Sequence, residues 1–314
     1  MYTFAVCNHH RFRRQRGKME AIKEKKTVAV TSVIAAVFLT GFKFVVGILT
    51  GSLGLLSEAL HSCLDLVAAI VTFFSVRISD KPADNEHHFG HGKVENLSAL
   101  IQTMLLLVTC GWIIYEAASR LITKNIEIEV NVWSYVVVVS SIIVDISRSR
   151  ALSRVAKKHN SQALEADALH FSTDIWSSCV VLLGLICAHF RFYYADPIAA
   201  LIVAFIVLYI CYRIGKKAID ILLDKAPSLS YDYVTDILNE HLEIRKFHNL
   251  KLRTAGADTF VSFNIHLEPS MSFADIHAFC DHLEKDIQQK IPRCEVYIHA
   301  EPQSLEHINS ERDR

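Results

Sequence analysis

Two short stretches of this chain could do chemistry together. One reads Glu58-Ala-Leu-His61 with Asp65 four residues beyond the histidine; the other reads Asp167-Ala-Leu-His170 with Asp174 at the same spacing. On a helix that spacing sets each His and Asp on one face, a turn apart. If the two faces meet, two imidazole nitrogens and two carboxylate oxygens converge on a point, the four-coordinate N/O donor set that zinc takes. A lone histidine at helical spacing in an apolar run is usually a core residue hydrogen-bonded to a neighbour. Two matching pairs argue otherwise. A charged group at mid-bilayer depth costs ~2.5–3.5 kcal/mol on insertion scales, so four without a use would be replaced by apolar residues.

The elements that must position these pairs follow from composition. The chain has 314 residues, 51% of them hydrophobic, a mean hydropathy of +0.26, and 33 basic against 33 acidic residues. The apolar residues come in blocks long enough to span a bilayer, which reads as a membrane protein crossing several times. Six spans are predicted, over about residues 28–50, 54–79, 93–120, 131–147, 161–188 and 197–223. Lys43 lies near the outer end of the first and is expected to snorkel to the interface. Residues 51–54 (Gly-Ser-Leu-Gly) turn the chain outside, and Pro197 opens the sixth span as a first-turn proline. The eight cysteines form no C-x-x-C pair, so neither a disulfide framework nor a thiolate zinc knuckle is indicated.

Charge sets the orientation. Residues 1–26 form a basic cytoplasmic tail, with no cleavage site before the first span, and basic residues gather again at the other expected inner ends. The expected outer side holds only Arg120, Lys124 and Arg191. Both termini are then cytoplasmic, and spans two and five run antiparallel. A near-repeat meeting at the midplane of two such helices is where a transporter would bind its ion. Asp145, near the inner end of the fourth span, is expected to pair with Arg148 or Arg150. Glu58 and Asp167 either attract ions and relay protons or are solvated acids near helix ends.

From residue 224 the character changes. Periodicity predicts helix over 231–243, strands over 249–254 and 259–267, an amphipathic helix over 273–290 and a strand over 295–299. That order suggests an αββαβ domain of the α+β class, with its helices on one face of a sheet, ending near residue 302 before a polar tail over 303–314.

Further motifs complete the pattern: the run Gly-Ser-Leu-Gly-Leu-Leu-Ser-Glu-Ala-Leu-His-Ser over 51–62, Pro-Ala-Asp-Asn-Glu-His-His-Phe-Gly-His-Gly-Lys-Val-Glu-Asn-Leu over 82–97, and Phe-His-Asn-Leu and Ile-His-Leu-Glu beginning at 247 and 265. Together with the His170/Asp174 pair they resemble the cation diffusion facilitator family of divalent-metal/proton antiporters, over about residues 26–302. The resemblance implies a six-helix membrane domain (27–223) and a metallochaperone-like cytoplasmic domain (224–302) that regulates and dimerises. It implies a transport site of His61, Asp65, His170 and Asp174. A loop site would use Asp84, His87 and His91, with His88 as a further ligand. A cytoplasmic-domain site would use His248, His266, His277, His299 and Glu301, and an ion pair would join Lys93 to Asp224.

Histidine at position 61, where many bacterial members carry aspartate, looks like the zinc-selective branch. Imidazole suits zinc, whereas an all-oxygen site would suit manganese or magnesium. The expectation is a homodimer in the bacterial inner (plasma) membrane that exports Zn2+ for protons. Zinc is its substrate and also a regulatory or structural ion, and no organic cofactor or nucleic acid is involved. Broader cadmium, iron, cobalt or manganese transport is the alternative, followed by a metal-gated channel or sensor. A zinc enzyme fits poorly, because catalytic zinc leaves a position open to water and no H-E-x-x-H motif occurs.

Overall fold

The computed structural model describes residues 2–50, 53–123, 132–189 and 195–303. It divides into two units, residues 1–219 and 220–314. Among the described residues, six long helices come first: α1 (Tyr2–Thr50), α2 (Leu53–Ser79), α3 (Val94–Thr123), α4 (Val132–His159), α5 (Gln162–His189) and α6 (Ala195–Leu222), the last of which runs across the boundary between the units. Helix α1 is longer than the predicted first span, because the basic segment before residue 27 continues it without a break. The turn at 51–54 begins outside the described residues; α2 takes up the chain at Leu53.

Four segments of the described residues are long and apolar enough to cross a membrane: Met19–Thr50, Ala59–Ser79, Val94–Ser119 and Ile198–Leu222. Helices α4 and α5 have the length but carry charge, with Asp145, Arg148, Arg150 and Arg154 on one and Glu165, Asp167, His170 and Asp174 on the other. Large apolar side chains such as Phe38, Leu49, Trp112 and Phe205 stand exposed on the outside of the helices. Such a surface suits lipid, which welcomes apolar groups while the backbone polar groups are satisfied within each helix.

Helix α1 packs on α2 and α4, α4 on α5, and α2 and α3 both on α5. The seam is lined with small residues: Ala29, Ala36, Ala69, Ala156, Ala163 and Ala168 are buried there beside Leu152, Leu164 and Phe171. Small side chains let helices approach closely where no hydrophobic effect drives them together. The α4–α5 connection is a tight reversal. Asn160 takes a left-handed φ of 51°, the Ser161 N–H donates to the Ala156 carbonyl at 3.1 Å, and the Ser161 hydroxyl accepts from the Leu164 N–H at 3.5 Å. One helix is thus capped and the next begun within two residues.

The second unit has α7 (Ser228–Glu240), β1 (Lys246–Ala255), β2 (Asp258–Leu267), α8 (Phe273–Lys290) and β3 (Cys294–Pro302), the predicted order with strands a few residues longer. The sheet order is β1-β2-β3, with β1 antiparallel and β3 parallel to the central β2. Alternation along β2 sends Val261, Phe263, Ile265 and Leu267 into a core shared with Val234, Ile237 and Leu238 of α7 and Leu283 and Ile287 of α8. Ser272 caps α8, accepting from the Asp275 N–H at 3.2 Å. Both helices therefore lie on one face, and the polar positions of the strands form the other.

Candidate metal centres

The two His/Asp pairs meet where α2 and α5 pack. His170 Nε2 lies 3.0 Å from Asp65 Oδ1 and 3.8 Å from Asp174 Oδ2, and His61 Nε2 lies 3.9 Å from Asp174 Oδ1. The early residue of one pair approaches the late residue of the other, which requires antiparallel helices. His61, Asp65 and Asp174 offer ligand atoms within 4.8 Å of one another. Donors held ~2.0–2.2 Å from a tetrahedral zinc stand roughly 3.3–3.5 Å apart, so closing on an ion needs only small side-chain shifts. His170 and Asp65 are buried, His61 and Asp174 partly so. Cys63, two residues from His61, is a free thiol and belongs to none of the groups of metal-ligating residues.

One expectation around this site fails, and one of two alternatives is excluded. Lys43 does not snorkel: it is buried, and its ammonium donates to the Ser62 hydroxyl at 2.8 Å, because α1 packs its Lys43 face against α2 rather than toward the interface. Asp167 is not a solvated acid. It is fully buried, with the Ser32 and Thr72 hydroxyls and the Arg148 guanidinium as its polar neighbours. The side chain of Glu58 lies outside the described residues. Asp145 does pair with Arg148, at 3.5 Å; the guanidinium also donates to the Ser32 hydroxyl at 3.2 Å and covers the Phe171 ring 3.5 Å from its centroid. Ser32 and Ser62 carry no signal in sequence, since a lone serine in an apolar run is common.

In the loop between α2 and α3, Asp84, His87 and His91 offer ligand atoms within 4.8 Å of one another. Asp84 Oδ1 accepts from the Glu86 and His87 N–H groups at 3.0 and 2.7 Å. These bonds, that from His87 foremost, hold its carboxyl below the ordinary range. His91 Nε2 faces Asp84 Oδ2 at 3.5 Å. His88 turns away, its Nε2 lying 3.2 Å from the Asn85 carbonyl, so it is not gathered with the other three.

The polar face of the sheet gathers the next group. Register pairs His248 with Asn264 and His266 with Glu301 across neighbouring strands, and Asn264 with His299. Glu301 lies 3.9, 3.7 and 3.5 Å from His248, His266 and His299. Asn264 is a member that the sequence reading missed: its amide donates to Glu301 Oε1 at 2.6 Å and is the first cause holding that carboxyl low. Its position two residues before His266, on the same face of β2, is the signal that was available. His277 is not brought to this group. It sits on α8, on the helix side of the sheet, 71% exposed and 3.9 Å from Asp281. Asp224 has Arg253 within 3.7 Å. Lys93 belongs to the other unit, and its pairing with Asp224 remains an expectation of the resemblance.

Comparison with known proteins agrees with this architecture. Residues 29–223 match the cation efflux transmembrane domain, and residues 226–303 match the cytoplasmic domain of cation efflux proteins. The cation-efflux pump FieF of Salmonella choleraesuis is 30% identical over 284 residues, covering 90% of this chain and 93% of its own length. FieF of Shigella boydii is 31% identical over 259 residues, or 82% and 85%. Among solved structures, the metal-bound C-terminal domain of the CzcD transporter from Thermotoga maritima is 26% identical and covers 23% of this chain and 86% of its own, with a TM-score of 0.23. With its membrane and cytoplasmic parts both matched, in order, the chain belongs to the cation diffusion facilitator family and is a cation efflux transporter, not an enzyme.

Proposed function

We propose that the chain exports Zn2+ from the cytoplasm in exchange for protons by alternating access. The observation that carries this reading is the approach of two imidazoles and two carboxylates of the antiparallel α2 and α5, His61, Asp65, His170 and Asp174. Zinc binds neutral imidazole and ionised carboxylate, and protons compete for those same atoms. Loading the metal therefore expels protons, and protonation from the far side discharges it. Imidazoles titrate near ~6.5 in model peptides, so modest outside acidity favours release. The two nitrogens favour zinc over manganese or magnesium, which prefer oxygen donors.

The Asp84/His87/His91 loop and the His248/His266/Glu301 group, with His299 within reach of Glu301, are assigned as regulatory or structural metal sites. Zinc drawing the cytoplasmic domain together tightens a homodimer. The protein sits in a bacterial plasma membrane with both termini in the cytoplasm. The test is transport of zinc, cadmium, iron, manganese and cobalt by the purified, reconstituted protein, alongside His61→Asp. Zinc preference in the parent and broadened selectivity in the variant are expected; identical selectivity in the two overturns the role given to the nitrogen count.

A further inference from the structure

Two histidines face one carboxylate on the helix layer of the second unit. His241 is the residue that ends α7, with φ −85° and ψ 109°. His282 and Asp286 are four apart on α8 and so share one face a turn apart. His241 Nε2 is 3.3 Å and His282 Nε2 is 3.5 Å from the same oxygen, Asp286 Oδ2. Donors coordinated at ~2.0–2.2 Å around a tetrahedral zinc are roughly 3.3–3.5 Å from one another; each nitrogen-to-oxygen spacing suits coordination, and the exposed His282 side chain has to swing toward His241 for both nitrogens to close on one ion. The two imidazole rings stand at 85° with centroids 6.0 Å apart. The Phe279 ring packs edge-on against His241, at 5.6 Å and 90°, and fixes its plane.

We propose that His241, His282 and Asp286 form a metal site for a borderline divalent cation such as Zn2+, Co2+ or Ni2+. Two imidazoles among three donors exclude calcium and magnesium, which take oxygen. With three protein ligands, water completes the coordination. His282 is 67% exposed, so the ion exchanges with the cytoplasm. Because one ligand ends α7 and the other two lie on α8, a bound ion clamps those helices over the shared core. The site does not depend on the transport reading. It lies on the opposite side of the sheet from His248, His266 and Glu301, so neither group supplies the other's ligands.

Zinc bound per chain is measured on the full-length purified protein by equilibrium dialysis at pH 7.5, for the parent, His282→Ala and Asp286→Asn. Each variant is expected to hold about one zinc fewer per chain than the parent while zinc flux through the reconstituted protein is kept. An unchanged zinc count in either variant overturns the proposal. Co2+ loading, read as visible absorption, guards against a folding defect. His282→Ala that keeps the parent's unfolding temperature without metal but loses its share of the cobalt band supports the site, and an unaltered band contradicts it.

Discussion

At the residue scale, the account rests on which atoms a dication and a proton contest. Asp174 lies near both histidines of the central group, 3.9 Å from His61 and 3.8 Å from His170, so its carboxylate is the hardest to replace. Asp174→Ala is expected to abolish zinc flux in proteoliposomes while size-exclusion chromatography shows an unchanged assembly; normal flux would contradict the assignment. Asn264 and Glu301 give a test outside the membrane. A carboxyl held below its ordinary 4.5 stabilises the folded domain above that pH, and the contribution is lost as pH falls through the lowered value. In Asn264→Ala the Glu301 titration, followed by NMR, should move up toward the ordinary value, and the domain should lose stability at a higher pH on acidification. An unmoved titration would show that the amide is not the cause. His61, Asp65, His170 and Asp174 were legible in sequence because their spacing repeats in an apolar setting. Lys43 was misread because sequence gives its depth in the helix but not which face α1 turns toward α2.

At the element scale, α4 and α5 carry the weakest apolar signal of the long helices; α5 was still placed within a residue at each end, while α4 runs past its predicted end to His159. Their charges lower the apolar signal that marks a span, and the structure shows that some of those charges are buried against neighbouring helices. Arg148 and Asp145 are both buried, and removing one partner strands the other. Arg148→Met is expected to destabilise the protein by about 3–5 kcal/mol, seen as a lower unfolding temperature in detergent, and adding Asp145→Asn should recover part of the loss. A single substitution without effect would mean the pair is not closed in the folded protein. In the second unit the elements were readable to within a few residues, since strand alternation and the amphipathic α8 leave clear periods. Phe263 of β2 is almost fully buried in its core, and Phe263→Ala should cost about 3–5 kcal/mol in the unfolding of that domain. The part not legible was the pairing of strands, which brings Asn264 to Glu301 across 37 positions while leaving His277 on the other layer.

At the scale of the whole molecule, the chain joins a membrane unit whose ionisable groups are gathered at helix crossings to a domain whose metal-ligating side chains occupy both faces of its fold. Family membership follows from the match over both parts; direction, ion and counter-ion belong to the proposed mechanism, and these are what a flux measurement reads. The most direct is zinc uptake into inside-out proteoliposomes with an imposed pH gradient, recording internal zinc and pH together. The account predicts saturable zinc entry that speeds up when the lumen is made acidic and is accompanied by proton efflux, with both lost in Asp174→Ala. Non-saturating zinc entry that ignores the gradient and moves no protons would contradict it.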